Sequence, residues 1–138
     1  MQLAIIDPFD LAGAIAAPVT SHEHRIYGND QASVWAAVDA EDYWHFSTWR
    51  WCPTKPCAAA RRKMYLRRQI GNRTLYLHVE IMRRVEAAPS PAHTIVDHKD
   101  GNSLNCRRGN LRWATPSENA RNLFGSYLAQ MDLMGAAA

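Results

Sequence analysis

Residues 96–113 read V-D-H-K-D-G-N-S-L-N-C-R-R-G-N-L-R-W, followed by A-T-P-S-E-N-A-R-N. A plain hairpin needs an Asn-Gly or Asp-Gly turn and little else, yet this connection holds a carboxylate beside an imidazole, several amides and three Arg. Asp97 and His98 are adjacent, so at the end of a strand their side chains diverge. One can hold a metal ion while the other faces an attacking water. Imidazole, with an ordinary pKa of about 6.5, is mostly neutral at neutral pH and suited to take a proton from that water. A hard divalent cation wants oxygen ligands, which a carboxylate and an Asn amide supply. Together these are the requirements of phosphodiester hydrolysis. A calcium loop is the competing reading. It fails because counting back from Gly101 puts Val96 at its first ligand position, and counting from Asp97 puts Lys99 at its third.

The elements that must position these groups follow from pattern. His93 to His98 and Asn110 to Thr115 read as strands joined by the polar loop. T-P-S-E then fits a helix start, with Thr115 as N-cap, Pro116 in the first turn and Glu118 closing a capping box. Asn119 and Asn122, three apart, share one face of that helix. Upstream, a strand is expected over 33–38. A helix follows with Asp39 as its cap and Glu41 and Asp42 near its positive end. W-R-W at 49–51 reads as a short alternating strand. Gly71-Asn72 marks a β-hairpin, and Leu77, Ile81 and Val85 mark a helix over 77–86.

The quoted residues V-D-H-K-D-G-N, N-L-R-W-A-T and S-E-N-A-R-N resemble the HNH endonucleases of ββα-metal fold. The phage and intron-encoded homing or nicking kind with a DH-N-N motif is the nearest in pattern. The resemblance spans roughly residues 75–123. It implies that His98 is the general base, that Asp97 and Asn119 are metal ligands, and that Asn110 is structural and pins the loop. Many members have His where Asn119 stands. The substitution leaves an all-oxygen ligand pair, which favours Mg²⁺, with Mn²⁺ as the alternative, over Zn²⁺. Asn122 and His78 are candidates to support the ligands from behind, although His78 also reads as a packed core residue. The stretch from A-V-D-A-E-D-Y through W-R-W and the Arg-rich hairpin to Y-L-H-V-E-I-M is similar to the AP2/ERF DNA-binding sheet.

Charge agrees with a polyanionic partner. Residues 49–124 hold 15 Lys or Arg against five acids, whereas the rest of the chain holds one Arg and eight acids. Arg supplies 12 of those 15, and its planar fork suits phosphates and base edges. The expected DNA contacts are Arg61, Arg62, Lys63, Arg67, Arg68 and Arg73 around the hairpin. Arg107, Arg108, Arg112 and Arg121 are expected to reach backbone phosphates beside the metal. Alternation puts Arg67 and Arg68 on opposite faces.

With 138 residues the chain accommodates one α+β unit: an extension over 1–22, a small sheet module over 23–74, the nuclease motif over 75–124 and a tail over 125–138. No apolar run approaches the roughly 20 residues of a membrane span, and the N-terminus lacks the basic segment of a secretory signal. Three Cys (Cys52, Cys57, Cys106) fit a reducing cytoplasm better than a disulfide framework, and a zinc site on them lacks a second pair. The expected activity is nicking or homing-type cleavage of double-stranded DNA, with monomer and dimer both open. The alternatives are a non-catalytic DNA-binding regulator or packaging accessory that keeps the scaffold, and a nuclease acting on RNA.

Overall fold

The computed structural model describes residues 24–29, 31–55 and 63–122. The extension at 1–22, the tail at 125–138, Cys57, Arg61 and Arg62 lie outside them. Mixed helices and small antiparallel sheets make the architecture α+β. Strands β1 (His24–Gly28) and β2 (Gln31–Val38) form one hairpin. Helix α1 (Ala40–Phe46) follows. Strands β3 (Cys52–Pro53), β4 (Leu66–Ile70) and β5 (Arg73–Tyr76) make a three-stranded sheet in that order. Helix α2 (Leu77–Val85) leads to a last strand pair, β6 (Ile95–His98) and β7 (Leu111–Ala114), and helix α3 (Pro116–Arg121) follows β7.

Local chemistry explains most of these boundaries. Gly71 turns the β4–β5 hairpin with a φ of 56°, which a residue with a Cβ adopts only at a cost. At Gly28 a Cβ would lie 2.7 Å from the Pro53 ring, so the end of β1 packs directly on β3. Thr115 Oγ1 accepts from the Glu118 amide, and Glu118 Oε2 accepts from the Thr115 amide at 2.8 Å. The expected capping box is present.

Elsewhere tertiary contacts override local expectation. Asp39 stands at the N-cap of α1, but its side chain makes no cap bond. Its Oδ2 accepts from the backbone N–H of Arg108 at 2.8 Å. Residues 49–51 do not form the expected strand. Trp51 is fully buried and donates its indole N–H to the Phe46 carbonyl at 2.9 Å, while Trp49 stacks on Trp51 at 5.9 Å. Strand pairing begins one residue later, at Cys52. His93 and Thr94 precede β6. Asn110 ends a 3-10 turn over Arg108–Asn110 instead of starting β7.

One hydrophobic core joins the two halves of the chain. Ile26, Val38, Phe46 and Trp51 from the first half pack with Leu77, Ile81, Val96 and Leu111 from the second. The loop between β6 and β7 also pairs with β2: the Ala37 amide donates to Leu104 O and the Cys106 amide donates to Ala37 O, both at 2.8 Å. Among the described residues no helix is long and apolar enough to cross a membrane.

Candidate active site

The amide-rich connection between β6 and β7 is a closed hydrogen-bond network. Asn110 sits at its centre. Its Nδ2 donates to Asp100 Oδ1 (2.9 Å) and to Asn105 O (2.8 Å), and its Oδ1 accepts from the Asp100 amide (3.0 Å). Asp100 also accepts from the Asn102 amide and from Asn105 Nδ2, each at 2.8 Å. Asn102 Oδ1 accepts from the Leu104 amide at 3.0 Å, and Gly101, at φ 76°, closes a turn onto His98 O. Backbone groups that would otherwise be orphaned are thus satisfied inside a loop too irregular for a ladder.

That loop ends the strand carrying Asp97 and His98, whose side chains leave on opposite sides. Asp97 lies across from Arg112 in the β6–β7 register. Arg112 Nε and Nη2 both reach Asp97 Oδ2 at 2.9 Å. Asn122, the C-cap residue of α3 and 2% exposed, donates from Nδ2 to Asp97 Oδ2 and to His98 O, both at 2.9 Å. It therefore docks the end of α3 onto β6.

The His98 ring turns toward the core. Its Nε2 lies 4.0 Å from the Cys106 thiol. Its centroid lies 4.8 Å from that of His78 and 6.1 Å from that of Tyr65. Burial, helped by the nearby charge of Lys63, lowers its pKa to about 4. Burial, with His98 alongside, pushes His78 well below its ordinary value too. Both imidazoles are neutral at pH 7, the state a proton acceptor needs. Nδ1 of His98 has no hydrogen-bond partner among the described residues, so it is the ring nitrogen left for a water. Sequence reasoning passed over Tyr65 and Cys106 as neighbours of His98. Burial raises the pKa of the Tyr65 phenol, with the charge of Asp97 adding to it. Burial raises that of the Cys106 thiol to about 12, so it is an inert thiol at neutral pH.

Three of the expected phosphate ligands, Arg107, Arg108 and Arg112, are otherwise engaged. Arg108 places Nε and Nη2 on Asp42 Oδ2 and Oδ1, at 2.8 and 2.9 Å, because Asp42 is completely buried and needs a counter-charge. Arg112 is held on Asp97. Arg68 lies 4.5 Å over the Trp49 ring, and Arg107 donates from Nε to Asn105 Oδ1 at 2.9 Å. Arg67, Arg73 and Arg121 are exposed, and Lys63 is half-buried.

The donor set suits a hard cation. Asp97 Oδ1 accepts no hydrogen bond among the described residues. Of the five Asn between 99 and 122, Asn119 is the one whose side chain makes no hydrogen bond among them. Being three residues before Asn122, it lies on the same side of α3 as Asn122. No group of three or more His, Cys, Asp and Glu converges among the described residues.

Residues 76–121 match the family model of the HNH endonucleases. The matched HNH segment contains Asp97, His98, Asn110, Arg112 and Asn119 and stops one residue short of Asn122. Lys63 and Tyr65, which approach His98, precede it. No curated protein and no solved structure matches the chain.

Proposed function

We propose that the protein is a metal-dependent HNH DNA endonuclease of the nicking or homing type, with β6, β7 and α3 forming its ββα-metal motif. The observation that carries the reading is the split of the Asp97–His98 pair. A carboxylate with one oxygen unclaimed stands on one side of β6, and a neutral imidazole with one nitrogen unclaimed stands on the other. Asp97 Oδ1 and the Asn119 amide oxygen would hold the ion, with Mg²⁺ or Mn²⁺ the best chemical fit. A bound divalent cation supplies Lewis-acid stabilisation of charge on the phosphate and the departing oxygen.

His98 takes a proton from water at Nδ1. The resulting hydroxide attacks phosphorus, the bond to the 3′ oxygen breaks, and that oxygen gains a proton from solvent. Burial keeps His98 in the proton-accepting form, and its contacts with His78 and Cys106 fix the ring. Lys63, close enough to influence the His98 charge, is suited to a phosphate of the bound strand. Upstream, Arg67, Gln69, Thr74 and Tyr76 share one face of the β4–β5 hairpin by register. Tyr76 and Tyr65, with ring centroids 6.2 Å apart, continue that face toward His98. It is the best candidate for contact with duplex DNA.

The test is a plasmid-nicking assay with purified protein in Mg²⁺, in Mn²⁺ and in EDTA. Nicking is expected with either ion and absent in EDTA. His98→Ala is expected to abolish cleavage while duplex binding persists. Undiminished nicking by His98→Ala would overturn the mechanism, and binding without nicking by the wild type would favour a non-catalytic scaffold.

A further inference from the structure

An Arg beside a carboxylate commonly forks, giving one N–H to each oxygen. Arg108 does so on Asp42. Arg112 does not. Its Nε and Nη2 converge on Oδ2 of Asp97, and Asn122 Nδ2 comes to the same atom, all at 2.9 Å. Three donors thus crowd one oxygen while Oδ1, in a residue 5% exposed, receives none among the described residues. Oδ1 is thus the carboxylate oxygen whose acceptor capacity is left for a ligand.

We propose that Arg112 is a positioning residue that makes Asp97 a one-oxygen metal ligand, and that its charge sets how tightly the cation is held there. The proposal rests on the metal-dependent reading above. A carboxylate with both oxygens free can chelate a cation through either or both. With Oδ2 occupied, only Oδ1 can coordinate, and the two guanidinium N–H groups held on Oδ2 fix the direction of its lone pairs. Asn122 extends the constraint, because the atom that holds Oδ2 belongs to the helix bearing Asn119. The two ligands are therefore held in register with each other. The guanidinium also repels a dication, so the site is tuned for correct aim at the expense of raw affinity.

The charge and the aim separate experimentally. Mn²⁺ binding to the full-length protein is read from the paramagnetic resonance signal of free Mn²⁺, and nicking is measured at saturating Mn²⁺. Wild type is expected to bind Mn²⁺ and Asp97→Ala to lose that binding; if wild type binds none, the metal reading itself fails and this inference with it. Arg112→Gln removes the charge and the paired N–H grip on Oδ2. It is expected to bind Mn²⁺ about tenfold more tightly, as loss of a like charge a few ångströms from a dication predicts. Its saturated nicking rate is expected to fall on the order of 100-fold, from the misplaced ligand. Affinity rising while rate falls is a pattern that simple loss of folding does not give. Arg112→Lys keeps the charge, and is expected to stay within about twofold of wild type in Mn²⁺ affinity with a partly restored rate. If wild type binds and nicks while Arg112→Gln matches it in both, the metal reading stands and the positioning role is overturned. Should Arg112→Gln not fold, Arg112→Lys decides: Mn²⁺ affinity unchanged with slowed nicking supports the role, and any rise in affinity or an unchanged rate overturns it.

Discussion

Asp42 and Asp97 are both buried carboxylates facing an Arg, and they differ in how many oxygens the protein uses. At Asp42 both oxygens take a guanidinium N–H from Arg108, with Arg84 Nε 4.0 Å from Oδ1, and the group ties α1 to the β6–β7 loop. At Asp97 every donor falls on Oδ2. Burial beside an Arg therefore does not by itself fix a carboxylate's role. The discriminating feature is the acceptor capacity left over on Asp97 Oδ1, which a ligand can use.

The sharpest way to break this comparison is to exchange the losses. Asp97→Ala is expected to reduce metal-dependent nicking roughly a thousandfold or more by removing a ligand. Arg108→Ala is expected to leave nicking per folded molecule near wild type. It should nevertheless cost about 3 kcal/mol of stability, because the buried carboxylate loses its two short hydrogen bonds and keeps only the more distant Arg84. In a thermal melt that is a fall of well over 5 °C for a domain of this size. Loss of nicking by folded Arg108→Ala would erase the distinction.

A second comparison sets the aspartates against the imidazoles, which are buried without a counter-charge. His78 and His98 have folded pKa values below the unfolded value of about 6.5. In acid the unfolded chain therefore binds protons that the folded chain refuses. The stability they contribute is present above pH 6.5 and is lost as pH falls toward about 4, the value for His98. Melting temperature is expected to fall steadily from pH 7 to pH 4.5. A His78→Phe variant is expected to show a shallower slope, and an unchanged slope would remove His78 from this account.

The smallest effects separate the asparagines. Asn110→Ala breaks three hydrogen bonds of the loop and is expected to cost about 2–3 kcal/mol. Asn119→Ala breaks none among the described residues. It is expected to leave the melting temperature within about 2 °C, as for a surface change, while weakening Mn²⁺ binding. A large stability loss from Asn119→Ala would mean that its amide serves the fold.

What could be read from the sequence was the chemistry settled over short distances. The capping box, the Gly71 turn and the extent of α2 depend on residues a few positions apart, and they form as expected. The loop's wealth of amides was also visible, though not that Asp100 and Asn110 close on each other. The partners of Asp39 and Asp42 were hidden because they lie 69 and 66 residues away. By local rules both acids belong to a helix start, facing water and the dipole. Packing instead buries Asp42 and recruits Arg108, which removes that Arg from the phosphate ligands expected beside the metal. Arg112 was read as a phosphate ligand for a similar reason: nothing short of strand register shows that it stands opposite Asp97. Tyr65 reaches the site only because β4 and α2 bring it against His78.

The backbone bonds between Ala37 and the loop at Leu104 and Cys106 have a consequence for the order in which the molecule is made. The strand that receives the loop is synthesised long before the loop itself, and contacts of such large sequence separation form slowly. The early hairpin must therefore wait with its β2 edge open until residues beyond 106 leave the ribosome, and Asp97 and His98 gain their final surroundings only then. A nascent chain stalled before that point would hold the β4–β5 hairpin without the loop that closes against β2.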